Sequence, residues 1–169
     1  MSFKTKVAVF LFIVIFYLLW SLAAEINDNR GYSPVQPIPF SHKVHAGDNK
    51  IPCLYCHAHA ERSPHATVPA MNVCMGCHNV VATGKAQVVK LRQEYESGRP
   101  IEWIRIHDMP DFVYFSHQQH VAKGIECQAC HGPVETMERV FQARRLNMGD
   151  CVSCHRQNNA PTSCNTCHN

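Results

Sequence analysis

The sequence predicts a mostly irregular fold, with short α-helices wrapped around bulky prosthetic groups and preceded by one N-terminal transmembrane helix. Three observations predict it. The motif Cys-x-x-Cys-His occurs at Cys53–His57, Cys74–His78, Cys127–His131, Cys151–His155 and Cys164–His168, and it uses all ten cysteines of the 169-residue chain. Large apolar residues are sparse beyond the first two dozen positions, which leaves little for an ordinary core. Those first positions hold an uncharged run, Val7 to Ala24, long enough as a helix to match the hydrocarbon layer of a bilayer.

Cys-x-x-Cys-His is the spacing that attaches a c-type haem. The two thiols form thioethers with the two vinyl groups of one haem, and the histidine lies under the iron as proximal ligand. The attachment pairs are therefore Cys53 and Cys56, Cys74 and Cys77, Cys127 and Cys130, Cys151 and Cys154, and Cys164 and Cys167. The proximal ligands are His57, His78, His131, His155 and His168. A pair of zinc ribbons would also use Cys-x-x-Cys, but zinc does not require a histidine after every second cysteine. No thiol remains for a disulfide. About 145 residues enclose five macrocycles, roughly 30 per haem, so the haems supply most of the apolar interior and lie close together.

The formal charge of +3 identifies no partner, because each haem brings two propionates. Lysines and arginines are scattered, with Arg144-Arg145 the one adjacent pair, and this excludes a nucleic-acid function.

Taken in order, residues 1–24 are read as a membrane anchor. Lys4 and Lys6 precede the apolar run, and Tyr17 and Trp20 sit towards its outer end as interfacial aromatics do. The run exceeds the h-region of an ordinary signal peptide, which favours an uncleaved helix over a leader cut near Ser21-Leu22-Ala23. Positive residues stay in the cytoplasm, so residues 25–169 are expected on the periplasmic side of a bacterial inner membrane, where haem attachment takes place.

Residues 25–39 form a linker, kept extended by Pro34, Pro37 and Pro39. Residues 40–84 are a first two-haem module, with an irregular interior from His59 to Pro69. Residues 85–114 form a bridge. It begins with a helix over Lys85 to Gly98, whose narrow apolar face of Val88, Leu91 and Tyr95 is expected to pack on a haem rather than on a partner subunit. It continues as an aromatic and aliphatic stretch, Ile101 to Val113. Residues 115–155 are a second two-haem module, in which Val134, Met137 and Phe141 suggest a short helix. Residues 156–169 carry the fifth motif in a polar segment.

The two modules repeat more than their haem motifs. Each reads Phe-Ser-His-x-x-His, then a haem motif, then Met-x-x-Cys-x-x-Cys-His; the phrases open at Phe40 and Phe115, and the methionines are Met71 and Met148. Histidines three apart on one helical turn face the same side and serve neighbouring irons. His42 and His45 are thus expected as distal ligands of the first pair of haems, and His117 and His120 of the second. His59 and His65 read as solvated loop residues. For the fifth distal ligand His107 is the first choice, since it lies in the apolar bridge, and Met148 is the competitor. Irons held on both faces bind no substrate, which makes the chain an electron carrier rather than an enzyme.

The FSHKVH and FSHQQH phrases resemble class III-type multihaem cytochromes c. With VCMGCH, the bridge RIHDMPDFVYFSHQQHVAKGIECQACHGPVETM and LNMGDCVSCHR, the chain more closely resembles the membrane-anchored pentahaem cytochrome c subunit of bacterial alternative complex III. The resemblance implies partners: a polytopic quinol-oxidising membrane subunit and a large iron–sulfur subunit of the same complex. It also implies an acceptor, namely a monohaem cytochrome c, a soluble carrier or a terminal oxidase. A stand-alone quinol dehydrogenase and a cleaved periplasmic shuttle are the other classes open to such a chain.

Overall fold

The computed structural model describes residues 2–26 and 29–168. Helix α1 (Phe3–Ile26) is by far the longest element, about 36 Å at 1.5 Å per residue. It begins earlier than the apolar run, because Ser2 caps it: the Ser2 hydroxyl accepts from the Thr5 amide at 3.3 Å. Phe12, Phe16 and Trp20 stack along one side at helical spacing, with centroids 6.5 and 6.3 Å apart. Among the described residues, none buries the apolar span of α1. Its length and composition suit a membrane span, and an N-terminal signal sequence has the same character.

The remaining elements are short, and most coincide with the repeated motifs. They are a π-helical turn (Lys43–Asp48), α2 (Cys53–Cys56), a 3-10 turn (Ala58–Glu61), α3 (Met71–His78) and α4 (Ala86–Glu96). Then follow α5 (His117–Ala122), α6 (Gln128–His131), a 3-10 turn (Val134–Thr136), α7 (Met148–Gln157) and a last 3-10 turn (Cys164–Thr166). Among the described residues no β-strand forms; Val113 and His168 make an isolated antiparallel bridge. The fold is thus mostly irregular with short helices.

The protein core is small, as expected of a chain this poor in large apolar residues. Ile38, Met75 and Leu91 are buried together, with Met71, Cys74, Ile101 and Trp103 packed against them. Helix α4 supplies Leu91 and the buried Val88, and it lies against α3, the helix that carries the second haem motif. Tyr95, the third residue of its expected apolar face, is exposed. Gly98 at φ +69° ends the segment in the left-handed region.

The two modules interlock. The π-helical turn of the first packs on the 3-10 turn Val134–Thr136, which follows the third haem motif. Reciprocally, α5 of the second packs on the 3-10 turn Ala58–Glu61, which follows the first. Each Phe-Ser-His-x-x-His phrase therefore rests on the other module. Gly47 permits one of these contacts, because a Cβ there would meet the Glu135 carbonyl oxygen.

Helix did not extend through Val134, Met137 and Phe141. Only Val134–Thr136 turns, and Met137 is buried at the start of an extended segment. The reason is pairing with the linker. The Gly31 amide donates to the Gln142 carbonyl at 2.8 Å and the Gln142 amide to that of Tyr32 at 3.0 Å. Gln36 in turn exchanges two hydrogen bonds of 2.9 Å with the backbone of Ile104.

Candidate haem sites

Each Cys-x-x-Cys-His lies on a helical turn, which sets its two thiols three residues apart on one face and the histidine just beyond. The same closing bond recurs: the histidine amide donates to the first cysteine's carbonyl in His57–Cys53 (2.9 Å), His131–Cys127 (2.9 Å) and His168–Cys164 (3.0 Å). All ten thiols are free of disulfides. Burial, followed by thiols of other motifs, pushes several of them up. Cys74 acts on Cys56, Cys53 on Cys127, Cys154 on Cys130, and both Cys130 and Cys167 on Cys151. Motif two therefore lies beside motif one, one beside three, three beside four, and four beside five.

The imidazoles are oriented by their Nδ1 atoms. His57 donates from Nδ1 to the Thr67 carbonyl (2.7 Å), His78 to Val81 (3.1 Å), His155 to Pro161 (2.6 Å) and His168 to Phe112 (3.1 Å). Upstream histidines do the same: His45 to Ser41, His120 to Ser116 and His117 to Pro64, each at 2.8 Å. A carbonyl can only accept, so these contacts put the proton on Nδ1 and leave the Nε2 lone pair for a metal.

Those Nε2 atoms belong to rings that come in pairs. Centroids of His45 and His78 are 6.0 Å apart, those of His117 and His131 6.3 Å, and those of His120 and His155 6.0 Å. Two metal–nitrogen bonds of about 2 Å, together with the half-depths of two rings, fill about that span. His42 lies near enough to His57 for that ring to help hold its pKa down. Burial, then His57 and His45, pushes His42 down to about 4. Burial, then His107, His117, His57 and His42, pushes His131 down to about 4. Both are neutral near pH 7, the form that ligates iron. The residues present thus fit haem: thiol pairs, neutral imidazoles and spaces between facing rings.

The phenylalanine of each repeated phrase has a visible task. Phe40 meets His42 edge-on at 4.9 Å and stacks on His45 at 4.4 Å; Phe115 meets His117 edge-on at 4.8 Å and lies along His120 at 4.6 Å. One ring wedges both imidazoles of a turn. The backbone carbonyls of Ser41 and Ser116 accept from the second of them, a task that depends on position and not on the serine side chain.

The fifth motif borrows its surroundings. Tyr114 donates its amide to the Cys167 carbonyl at 2.7 Å, Val113 bridges His168, and Phe112 stacks on His168 at 5.9 Å. The bridge thereby supplies the apolar residues the tail lacks.

The two candidates for a fifth distal ligand have different settings. Met148 is 69 % exposed at the start of α7. His107 does not face His168; its Nε2 lies 3.4 Å from Nδ1 of His131, the ring already paired with His117. Apolar neighbours in the sequence suggested burial of His107 but carried no information about which ring it would meet. His59 and His65 are exposed. Sequence reasoning missed the carbonyls of Pro64, Thr67, Val81, Phe112 and Pro161. The prolines in those loops were the available signal, since they hold backbone extended with its carbonyls free.

Comparison with known proteins agrees with this geometry. Residues 113–169 match the family described as cytochrome c7 and related cytochrome c. Over 160 residues the chain is 28 % identical to the multiheme cytochrome c subunit of menaquinone reductase from Nitratidesulfovibrio vulgaris, covering 79 % of this chain and 76 % of that protein. Over 56 residues it is 34 % identical to cytochrome c3 of Desulfuromonas acetoxidans, covering 33 % of this chain and 79 % of that protein. The motifs, the oriented imidazoles and these similarities converge: the chain belongs to the multihaem c-type cytochromes.

Proposed function

We propose that this chain is a membrane-anchored pentahaem cytochrome c that relays electrons within a quinone-linked oxidoreductase. The observation that carries this reading is the set of facing imidazoles 6.0 to 6.3 Å apart, each pair combining a haem-motif histidine with one from a His-x-x-His turn. In this reading Cys53, Cys56, Cys74, Cys77, Cys127, Cys130, Cys151, Cys154, Cys164 and Cys167 hold five haems. The histidine pairs that would hold the irons are His42 with His57, His45 with His78, His117 with His131, and His120 with His155. Bound haem would supply one-electron transfer, and an imidazole pair would keep substrates off each of those four irons. The protein's part is to fix imidazole orientation, exclude water and set the sequence of sites.

The neighbouring thiols support an order: haems two, one, three, four and five in a single file. The ends of the file then lie beside opposite ends of the bridge, the second haem at α4 and the fifth at residues 112–114. Such an arrangement suits a conduit between two partners. Partners follow from the resemblance to alternative complex III: a polytopic quinol-oxidising subunit, an iron–sulfur subunit, and a cytochrome or oxidase as acceptor. The relative from Nitratidesulfovibrio is named for menaquinone reduction, which shares the quinone and reverses the direction. Helix α1 serves as the anchor, with the haem domain on the periplasmic side.

Purification from native membranes in mild detergent tests this reading. The chain should carry five haems and co-purify with a polytopic quinone-reactive subunit, and its haems should be reduced by menaquinol only in the complex. Fewer than five haems, or isolation as a lone soluble protein, would sink it. Reduction of the isolated chain by a quinol analogue would make it a quinol dehydrogenase instead.

A further inference from the structure

Among the haem-motif histidines, four direct Nδ1 to a backbone carbonyl, at 2.6 to 3.1 Å. His131 does not. Its Nδ1 faces Nε2 of His107 at 3.4 Å, with the two rings perpendicular at 87° and their centroids 4.5 Å apart. His117 is also close to His131, parallel to within 7° at 6.3 Å. His131 thus has one neighbouring ring placed for sharing a metal and another placed for sharing a proton.

We propose that His107 is a positioning residue for the third haem site, accepting the Nδ1–H of His131 and making that imidazole a stronger electron donor to its iron. The claim rests on the haem-binding reading of Cys127, Cys130 and His131.

Three features support it. First, the direction of the bond is constrained. His131 needs Nε2 for the metal, so its proton is on Nδ1, and His107 must present an unprotonated Nε2. Second, His131 has little freedom to turn away. Gly132 follows it at φ +73°, and a Cβ at Gly132 would lie 2.5 Å from the Ala143 Cβ, so the backbone there is pressed against its neighbour. Third, His107 is itself held. Arg105 donates to Asp108 at 2.7 Å across the bend that carries His107, which closes the loop on both sides of it.

An imidazole nitrogen is a far stronger base than an amide carbonyl oxygen. A proton shared with it leaves His131 with more imidazolate character, which favours ferric over ferrous iron and lowers the potential of that haem. The 3.4 Å separation makes the bond weaker than a short one, so the expected effect is moderate. Outer-shell partners of ligating histidines typically change metal-site properties by 10- to 100-fold, and the lower end applies here.

The test uses the full chain with its haems, in detergent, with the haem content counted first. Fewer than five haems in the unaltered protein would remove the underlying reading and is distinguishable from any effect at His107. Spectroelectrochemical titration then compares His107→Phe, which keeps the ring volume, with His107→Gln, which keeps an acceptor. His107→Phe should raise one haem's potential so that its reduced-to-oxidised ratio at a fixed potential changes about tenfold. His107→Gln should recover most of that change. Neither should bind more carbon monoxide than the unaltered protein. Equal titrations for His107→Phe and the unaltered protein would reduce His107 to packing and overturn the proposal. One additional equivalent of carbon monoxide in either variant would show His107 to be a ligand, which also overturns it.

Discussion

The two His-x-x-His turns start from nearly the same words and end in different surroundings. FSHKVH and FSHQQH share the wedge of one phenylalanine against two imidazoles, and His45 and His120 make the same 2.8 Å bond to the preceding serine carbonyl. Beyond that they diverge. The first winds as a π-helical turn and the second as the α-helix α5. His117 anchors its Nδ1 on the Pro64 carbonyl, whereas the corresponding Nδ1 of His42 is buried with no hydrogen-bond partner in the structure. Met71 packs on the core, while its counterpart Met148 is exposed. What the repeat keeps is the phenylalanine, the serine carbonyl and the two imidazoles of each turn. What surrounds them is free to differ, and the difference lies in the atoms behind the imidazoles. In the proposed reading, identical ligand sets would therefore not have identical potentials.

The largest effect should come from removing a ring of a facing pair. His45→Ala and His120→Ala should each open one iron, seen as one extra equivalent of carbon monoxide bound to the reduced protein, while His59→Ala and His65→Ala should open none. An inert response to His45→Ala with a full response to His120→Ala would mean that only the second module is built as the repeat suggests. Next comes the contact between modules. Gly47 occupies the place that Ala122 holds in α5, five residues after the first histidine of each turn. A Cβ at Gly47 would run into the Glu135 carbonyl, so Gly47→Ala should destabilise by about 1–3 kcal/mol. Ala122→Gly should cost about 0.5–1 kcal/mol, through helix propensity alone. Denaturant melts of the two variants measure the asymmetry, and equal losses would deny it. The smallest effect concerns the methionines. Met71→Ala should cost about 1–2 kcal/mol, as expected for a partly buried core side chain, and Met148→Ala should stay within about 0.5 kcal/mol. A large loss at Met148 with a new carbon monoxide site would restore it as a ligand.

The turns that carry the repeated spacings were legible in the sequence, since Cys-x-x-Cys-His and His-x-x-His each set their side chains on one face of a helical turn. Helix α4 was legible for another reason, because Val88 and Leu91 sit three apart on a face that becomes buried. Contacts between distant positions were not. Nothing local to Val134, Met137 and Phe141 reveals that the chain after Met137 pairs with Gly31 and Tyr32 rather than continuing as helix. The same holds for the tail: Cys164 to His168 are polar, and only the tertiary fold brings Phe112, Val113 and Tyr114 to them. His107 was noticed for its setting, but its meeting with His131 depends on how the bridge bends.

The linker's attachment has a mechanical consequence. Gly31, Tyr32 and Ser33 are laced to residues 139–142, Gln36 to Ile104, and the Pro37 carbonyl to Lys90 at 2.7 Å. The stretch is a splint along the haem domain and not a free tether. Between the end of α1 at Ile26 and the first lace at Gly31 lie only about five steps of chain, a reach of at most about 18 Å. With α1 in a bilayer, a leash so short pins the haems within one domain's breadth of the lipid. It cannot swing between a donor in the membrane and a distant acceptor. Electrons would have to travel by the file of haems, because the protein carrying them has nowhere to go.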